Sequence, residues 1–99
     1  MPHELRHTWL REETETVPDL GTVYVRGLPL SKKLEIGNME RTRQMPALLA
    51  ATVLTEDGKP VMDIDDWDAY ASAHEEPFNR LFAIAARVSG LIPDDAKKH

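Results

Sequence analysis

The chain has 99 residues, no cysteine and a formal charge of −5, with a sequence pI near 5.3. One domain of this length buries roughly two-thirds of its unfolded surface. The acidic balance argues against a non-specific nucleic-acid binder, which needs a basic face, and the lack of thiols removes disulfides and thiolate metal sites.

The opening, MPHELRHTWLREE, has no apolar segment of the signal-peptide kind, and no stretch approaches the about twenty apolar residues that span a bilayer. Leu5, Trp9 and Leu10 permit a short amphipathic helix over Glu4 to Glu13, with Glu12 and Glu13 at the unfavourable end of its dipole. Thr14 to Arg26 then reads as an antiparallel hairpin. Thr14, Thr16 and Val17 favour extended backbone, Pro18 to Gly21 is turn chemistry, and Thr22 to Arg26 alternates. Two strands are marginal alone, so the hairpin must pack on helices.

Gly27 and Pro29 stop the second strand, and Ser31 is placed to cap a helix starting at Lys32. Its apolar face, Leu34, Ile36 and Met39, is ragged. Pro46 argues for a break near Arg43, followed by a nearly all-apolar helix from Pro46 to Leu54. Glu56 to Pro60 is a tight turn, and Val61 and Met62 are expected to be extended. Asp63 caps a third helix, with Asp65 and Asp66 in its first turn and Ile64, Trp67, Ala71 and His74 along one face. The last helix, Glu76 to Leu91, carries the clearest pattern of all. Phe78, Leu81, Phe82, Ala85, Val88 and Leu91 form an apolar stripe, while Asn79, Arg80, Ala83 and Arg87 take the other side. Pro77 suits its first position, and Gly90 the left-handed residue past its end.

The fold class expected is α+β and mostly helical: a short N-terminal β-hairpin packed on about four helices. A single domain covers 1–99, with an N-terminal segment over 1–13, a core over 14–92 and a polar tail over 93–99.

No constellation of catalytic residues stands out, so the chain is read as a non-enzyme with no cofactor and no metal. The run Asp63, Asp65, Asp66, Asp68 lacks the glycine and glutamate that a calcium loop requires, Asp68 and His74 standing there instead. It reads as an acid-dressed helix N-terminus. His74 lacks a partner histidine at helical spacing, and the His3–His7 pair lies in a weakly patterned segment. Lys32, Lys33, Arg41 and Arg43 concentrate positive charge in an acidic chain; they are either a solvated face or a docking surface for an acidic partner helix. They are the partner-binding candidates. Trp67 and Tyr70, near Phe78 and Phe82, read as core.

Three segments, in order, carry a resemblance. ETETVPDLGTVYVRGLPLS resembles the opening hairpin of phage tail assembly chaperones, LLAATVLTEDGKPVM their central apolar helix and Asp-Gly-Lys-Pro turn, and LFAIAARVSGL their closing helix, with Val88 where leucine is frequent. Together they cover about Thr14 to Ile92. The chain departs from the pattern at Lys32-Lys33-Leu34 and at Pro46. The resemblance implies a small, mostly helical protein of a siphophage or prophage tail module. Such proteins keep the long tape-measure protein soluble, recruit tail-tube subunits and leave before the tail is finished. No nucleic acid, no membrane and a cytoplasmic location in the host follow from it, with a small helical DNA-binding or regulatory prophage protein as the alternative. In this family a longer form often arises by backward ribosomal slippage. Lys97-Lys98 is a dipeptide that a run of adenines encodes, so a slippery sequence is expected at or near these codons; a merely solubilising pair, or a tag beginning at His99, is the other reading.

Overall fold

The computed structural model describes residues 10–91. The His3–His7 pair, most of the expected helix over Glu4 to Glu13, and Lys97-Lys98 lie outside the described residues. Architecture within them is α+β: a three-stranded antiparallel sheet of order β1-β2-β3 and four helices.

Strands β1 (Glu12–Val17) and β2 (Gly21–Arg26) form the expected hairpin, in register from Glu12 opposite Arg26 to Val17 opposite Gly21. The Leu20 N–H donates to the Val17 carbonyl at 3.0 Å, and Gly21 takes φ +78°, the positive value that a glycine adopts without strain. Glu12 and Glu13, expected at a helix end, are the first residues of β1. Pairing with Arg26 and Val25 across the hairpin decides the matter over local helical spacing. On the face turned to the helices Val17, Val23 and Val25 are buried. Glu13 and Glu15 share that face by strand alternation, and half-buried, they reach the last helix.

Gly27 leaves the sheet so close to that helix that a Cβ would run into the backbone carbonyl of Val88. Helix α1 (Leu30–Gly37) then starts earlier than expected, with Pro29 at its N-cap and no side-chain cap; Ser31 lies inside it. It also ends earlier. Gly37 and Asn38 close it, and the Gln44 side-chain amide donates to the Gly37 and Met39 carbonyls, each at 3.2 Å. Helix α2 (Arg41–Thr52) runs through Pro46 rather than starting there. The carbonyl left without a donor is that of Thr42, in an exposed first turn that water reaches, while the Pro46 ring is buried.

Val53 and Leu54, expected in that helix, form β3 (Val53–Leu54) and pair with Val25 and Tyr24. The chain reverses at Asp57-Gly58, where Gly58 takes φ +85°, and Val61 returns an N–H to the Val53 carbonyl at 3.2 Å. Helix α3 (Ile64–Ala73) is capped as expected, the Asp63 carboxylate accepting the Asp66 N–H at 2.8 Å.

Helix α4 (Glu75–Val88) begins two residues before Pro77, which occupies its third position, where the amide has no intrahelical partner in any case. Its end is a complete reversal motif. Leu91 N–H donates to Ala86 at 2.8 Å, Gly90 N–H donates to Arg87 at 3.1 Å, and Gly90 takes φ +75°. Phe78, Leu81, Ile84, Ala85, Ala86 and Val88 are buried in the core that α4 shares with the sheet, α2 and α3. Two members of the expected stripe depart from it: Phe82 is half-buried and Leu91 is exposed. Ile84 takes an inside place that the stripe did not include.

Candidate partner-binding face

Helix α4 is fixed to the sheet by two arginines two turns apart on one face. Arg80 Nε lies 2.9 Å from Glu15, and Arg87 Nη2 meets both oxygens of Glu13 at 2.5 and 2.6 Å. With α4 held there, its C-terminal end becomes the platform for α1. Lys33 Nζ donates to the Ser89 carbonyl at 2.8 Å, placing a cation on the negative end of the α4 dipole. The sequence reading assigned Lys33 to a partner; in the structure its ammonium holds α1 to α4.

The other candidate cations divide. Lys32 pairs with Glu35 at 3.2 Å, one turn along the same helix, and Arg43 pairs with Asp65 of α3 at 3.3 Å. Arg41 is exposed and makes no ion pair among the described residues. The four are therefore close in sequence, but they do not form one free basic patch.

What the sequence reading missed is apolar. The large hydrophobic side chains exposed among the described residues are Leu30 (68%), Leu34 (60%), Leu91 (51%) and Met45 (38%). Leu30 and Leu34 stand one turn apart on α1, and Gly37 follows Leu34 by three residues on the same side. Gly37 also lines a groove of about 190 Å³ with Ile36, Met45, Leu48, Phe82 and Leu91. Helices α1 and α2, the middle of α4 and its terminal reversal all contribute. The groove lies open above Phe82, which is why that ring is only half-buried. The sequence held one signal of this. An eight-residue helix with leucines at 30 and 34 and isoleucine at 36 has two apolar sides, and only the Ile36 side reaches the core.

A second, larger hollow of about 670 Å³ lies on the other flank of α2, over Ala50, Val61, Met62 and Ile64. It is bordered by Lys59, Asp63 and Asp66.

The remaining sequence candidates are placed as follows. His74, at the junction of α3 and α4, has its Nδ1 3.2 Å from the Asp19 carboxylate and its ring 4.7 Å from that of Tyr70. Asp63 caps α3 and Asp65 holds Arg43. Among the described residues no three His, Cys, Asp or Glu side chains converge as a metal site would require. Trp67 is fully buried, with Tyr70 edge-on at 5.3 Å and Phe78 at 6.3 Å, as core residues. Trp67 Nε1 and Tyr70 Oη have no hydrogen-bond partner among the described residues. Burial first, then the Asp19 charge, push the Tyr70 phenol above its ordinary pKa, with Arg80 acting the other way. No helix among the described residues is long and apolar enough to cross a membrane. Compared with protein-family models, with curated proteins and with solved structures, the chain matches none.

Proposed function

We propose that the chain is a tail assembly chaperone of a siphophage or prophage. It binds the tape-measure protein in the host cytoplasm, keeps it soluble, helps recruit tail-tube subunits and is absent from the finished virion. The observation that carries this reading is an open groove lined by Met45, Phe82 and Leu91 in a small acidic domain, with Leu30 and Leu34 exposed on α1, the helix that lends Lys33, Ile36 and Gly37 to the lining. A chaperone of a long helical client needs an apolar face rather than an active site. The resemblance of Thr14 to Ile92 to the family supports it. A DNA-binding role is less well served, since Lys32 and Arg43 are matched by carboxylates and Lys33 by a carbonyl.

Co-expression tests it. The chain is produced with the very long reading frame expected beside its gene, and the soluble fraction of the long product is compared with and without it. The reading predicts that the long product becomes soluble and co-purifies with the chain. A long product that is equally insoluble in both cases overturns it.

A further inference from the structure

We propose that the groove lined by Met45, Phe82 and Leu91, together with the exposed Leu30 and Leu34 of the α1 helix that borders it, is a docking site for an amphipathic helix whose apolar stripe is flanked by carboxylates. The proposal deepens the chaperone reading by naming the face, and rests on that reading only for the identity of the natural partner.

The shape of the occupant follows from what the face lacks. Every contributing side chain comes from α1, α2, α4 or its terminal reversal, and no strand takes part. The face therefore offers no open ladder of N–H and C=O groups for an extended peptide to join. A chain that buries apolar side chains here must satisfy its own backbone, and a helix does so. The topography fits. Leu30 and Leu34 stand one turn apart on α1, three residues short of Gly37 at the nearer, and the groove runs from Gly37 to Leu48 and Phe82. A Cβ built on Gly37 would meet nothing within 4 Å, so this edge is open.

The charge of the occupant follows from Arg41. It precedes Met45 by four residues on α2 and so stands on the same helix face as the groove lining, exposed and without an ion pair among the described residues. Lys33, also in the lining, adds its positive charge while bonded to the neutral Ser89 carbonyl. Helices α1 and α2 together carry these two with Lys32 and Arg43, against the single carboxylate Glu35, which Lys32 already engages. Glu40 stands between the helices. In a chain of formal charge −5 these two helices carry more cations than carboxylates, even with Arg43 paired to Asp65, and so favour a carboxylate on a partner. The hollow over Met62 has two carboxylates, Asp63 and Asp66, on its border against the single cation Lys59.

The test uses the methionines as reporters. The full chain is labelled at its methionine methyl groups and titrated with two helical peptides of about twenty residues. Both peptides carry the same leucine stripe, flanked by glutamate in one and by lysine in the other. The expected result is that the glutamate peptide shifts the Met45 methyl signal and leaves Met62 in place, and that the lysine peptide binds more weakly. Gly37→Phe, which fills the mouth of the groove from an exposed position, and Arg41→Glu should each weaken the glutamate peptide by about tenfold with the spectrum of the fold unchanged.

A shift at Met62 instead of Met45, equal binding of both peptides, or unaltered binding to Gly37→Phe overturns the proposal. So does a Met45 signal that moves with protein concentration alone, together with a doubled mass, because the occupant is then a second copy. Peptide binding at Met45 with no rescue of the long co-expressed product leaves this face standing and removes the phage-tail reading. Rescue with no peptide binding at Met45 does the reverse.

Discussion

Helices α1 and α4, joined by the Lys33 bond to the Ser89 carbonyl, use their apolar residues in opposite ways. Six of the fourteen residues of α4 are buried, on an arc wide enough to meet the sheet on one side and α2 and α3 on the other. Helix α1 has eight residues and buries only Ile36, while Leu30 and Leu34 point away from the core. Neither helix has a side-chain cap, but α4 has a complete C-terminal reversal and two arginine pairs to β1, whereas α1 is held by the Lys33 ammonium and the Gln44 amide. The difference separates two jobs. Apolar residues of α4 fill the core, whereas on α1 only Ile36 does so and Leu30 and Leu34 stay at the surface.

The largest effect is expected inside α4. Leu81→Ala empties a site with no exposure and should destabilise the chain by about 2–5 kcal/mol in urea unfolding. Its neighbour Phe82, the larger residue, should lose less on truncation to alanine, about 1–2 kcal/mol, because the groove already leaves the ring half in water. Equal losses would mean that the groove is closed in solution.

The caps give the next effect in size. Asp63→Ala removes the bond to the Asp66 N–H and should cost about 1 kcal/mol. Ser31→Ala, at a position the sequence suggests as a cap but which lies within α1, should change the unfolding midpoint by less than its error. A comparable loss at Ser31 would restore it as the start of the helix.

The smallest effect belongs to the core beneath α3 and α4. Tyr70 keeps its neutral phenol in the fold at a pH where the unfolded chain has begun to ionise. Its contribution is complete below the ordinary tyrosine value of about 10 and falls as pH rises above it towards the folded value. Tyr70→Phe should remove that alkaline decline. Near neutral pH it should leave stability almost unchanged, because the lost hydroxyl has no hydrogen-bond partner among the described residues. A decline as steep in the variant would assign it to another group.

Much of this fold is legible locally. Pro18 to Gly21, Asp57-Gly58, Asp63 and Gly90 each demand a particular backbone, and each takes it. Long-range decisions are not legible in this way. Val53 and Leu54 continue an apolar helical run and leave it only because Val25 and Tyr24 offer a strand edge. Nothing near Pro46 announces that the exposed turn before it tolerates a missing donor. Glu13 and Glu15 lie 74 and 65 residues from their arginines, beyond the reach of spacing. The candidate site was half legible for the same reason. Charge drew attention to Lys32, Lys33, Arg41 and Arg43, but three of these are engaged within the chain. The exposed leucines that flank them could be recognised only once the core had been filled by others.

Whether the leucines of α1 serve a partner or the fold is decided by one doubly substituted chain. Leu30→Gln combined with Leu34→Gln is measured for urea stability and for capture of the co-expressed tape-measure fragment. The account predicts stability within about 0.5 kcal/mol per site of the parent chain and loss of capture. A fall of about 2 kcal/mol or more would place the leucines in the core, and full capture by the variant would place the partner elsewhere; either result contradicts it.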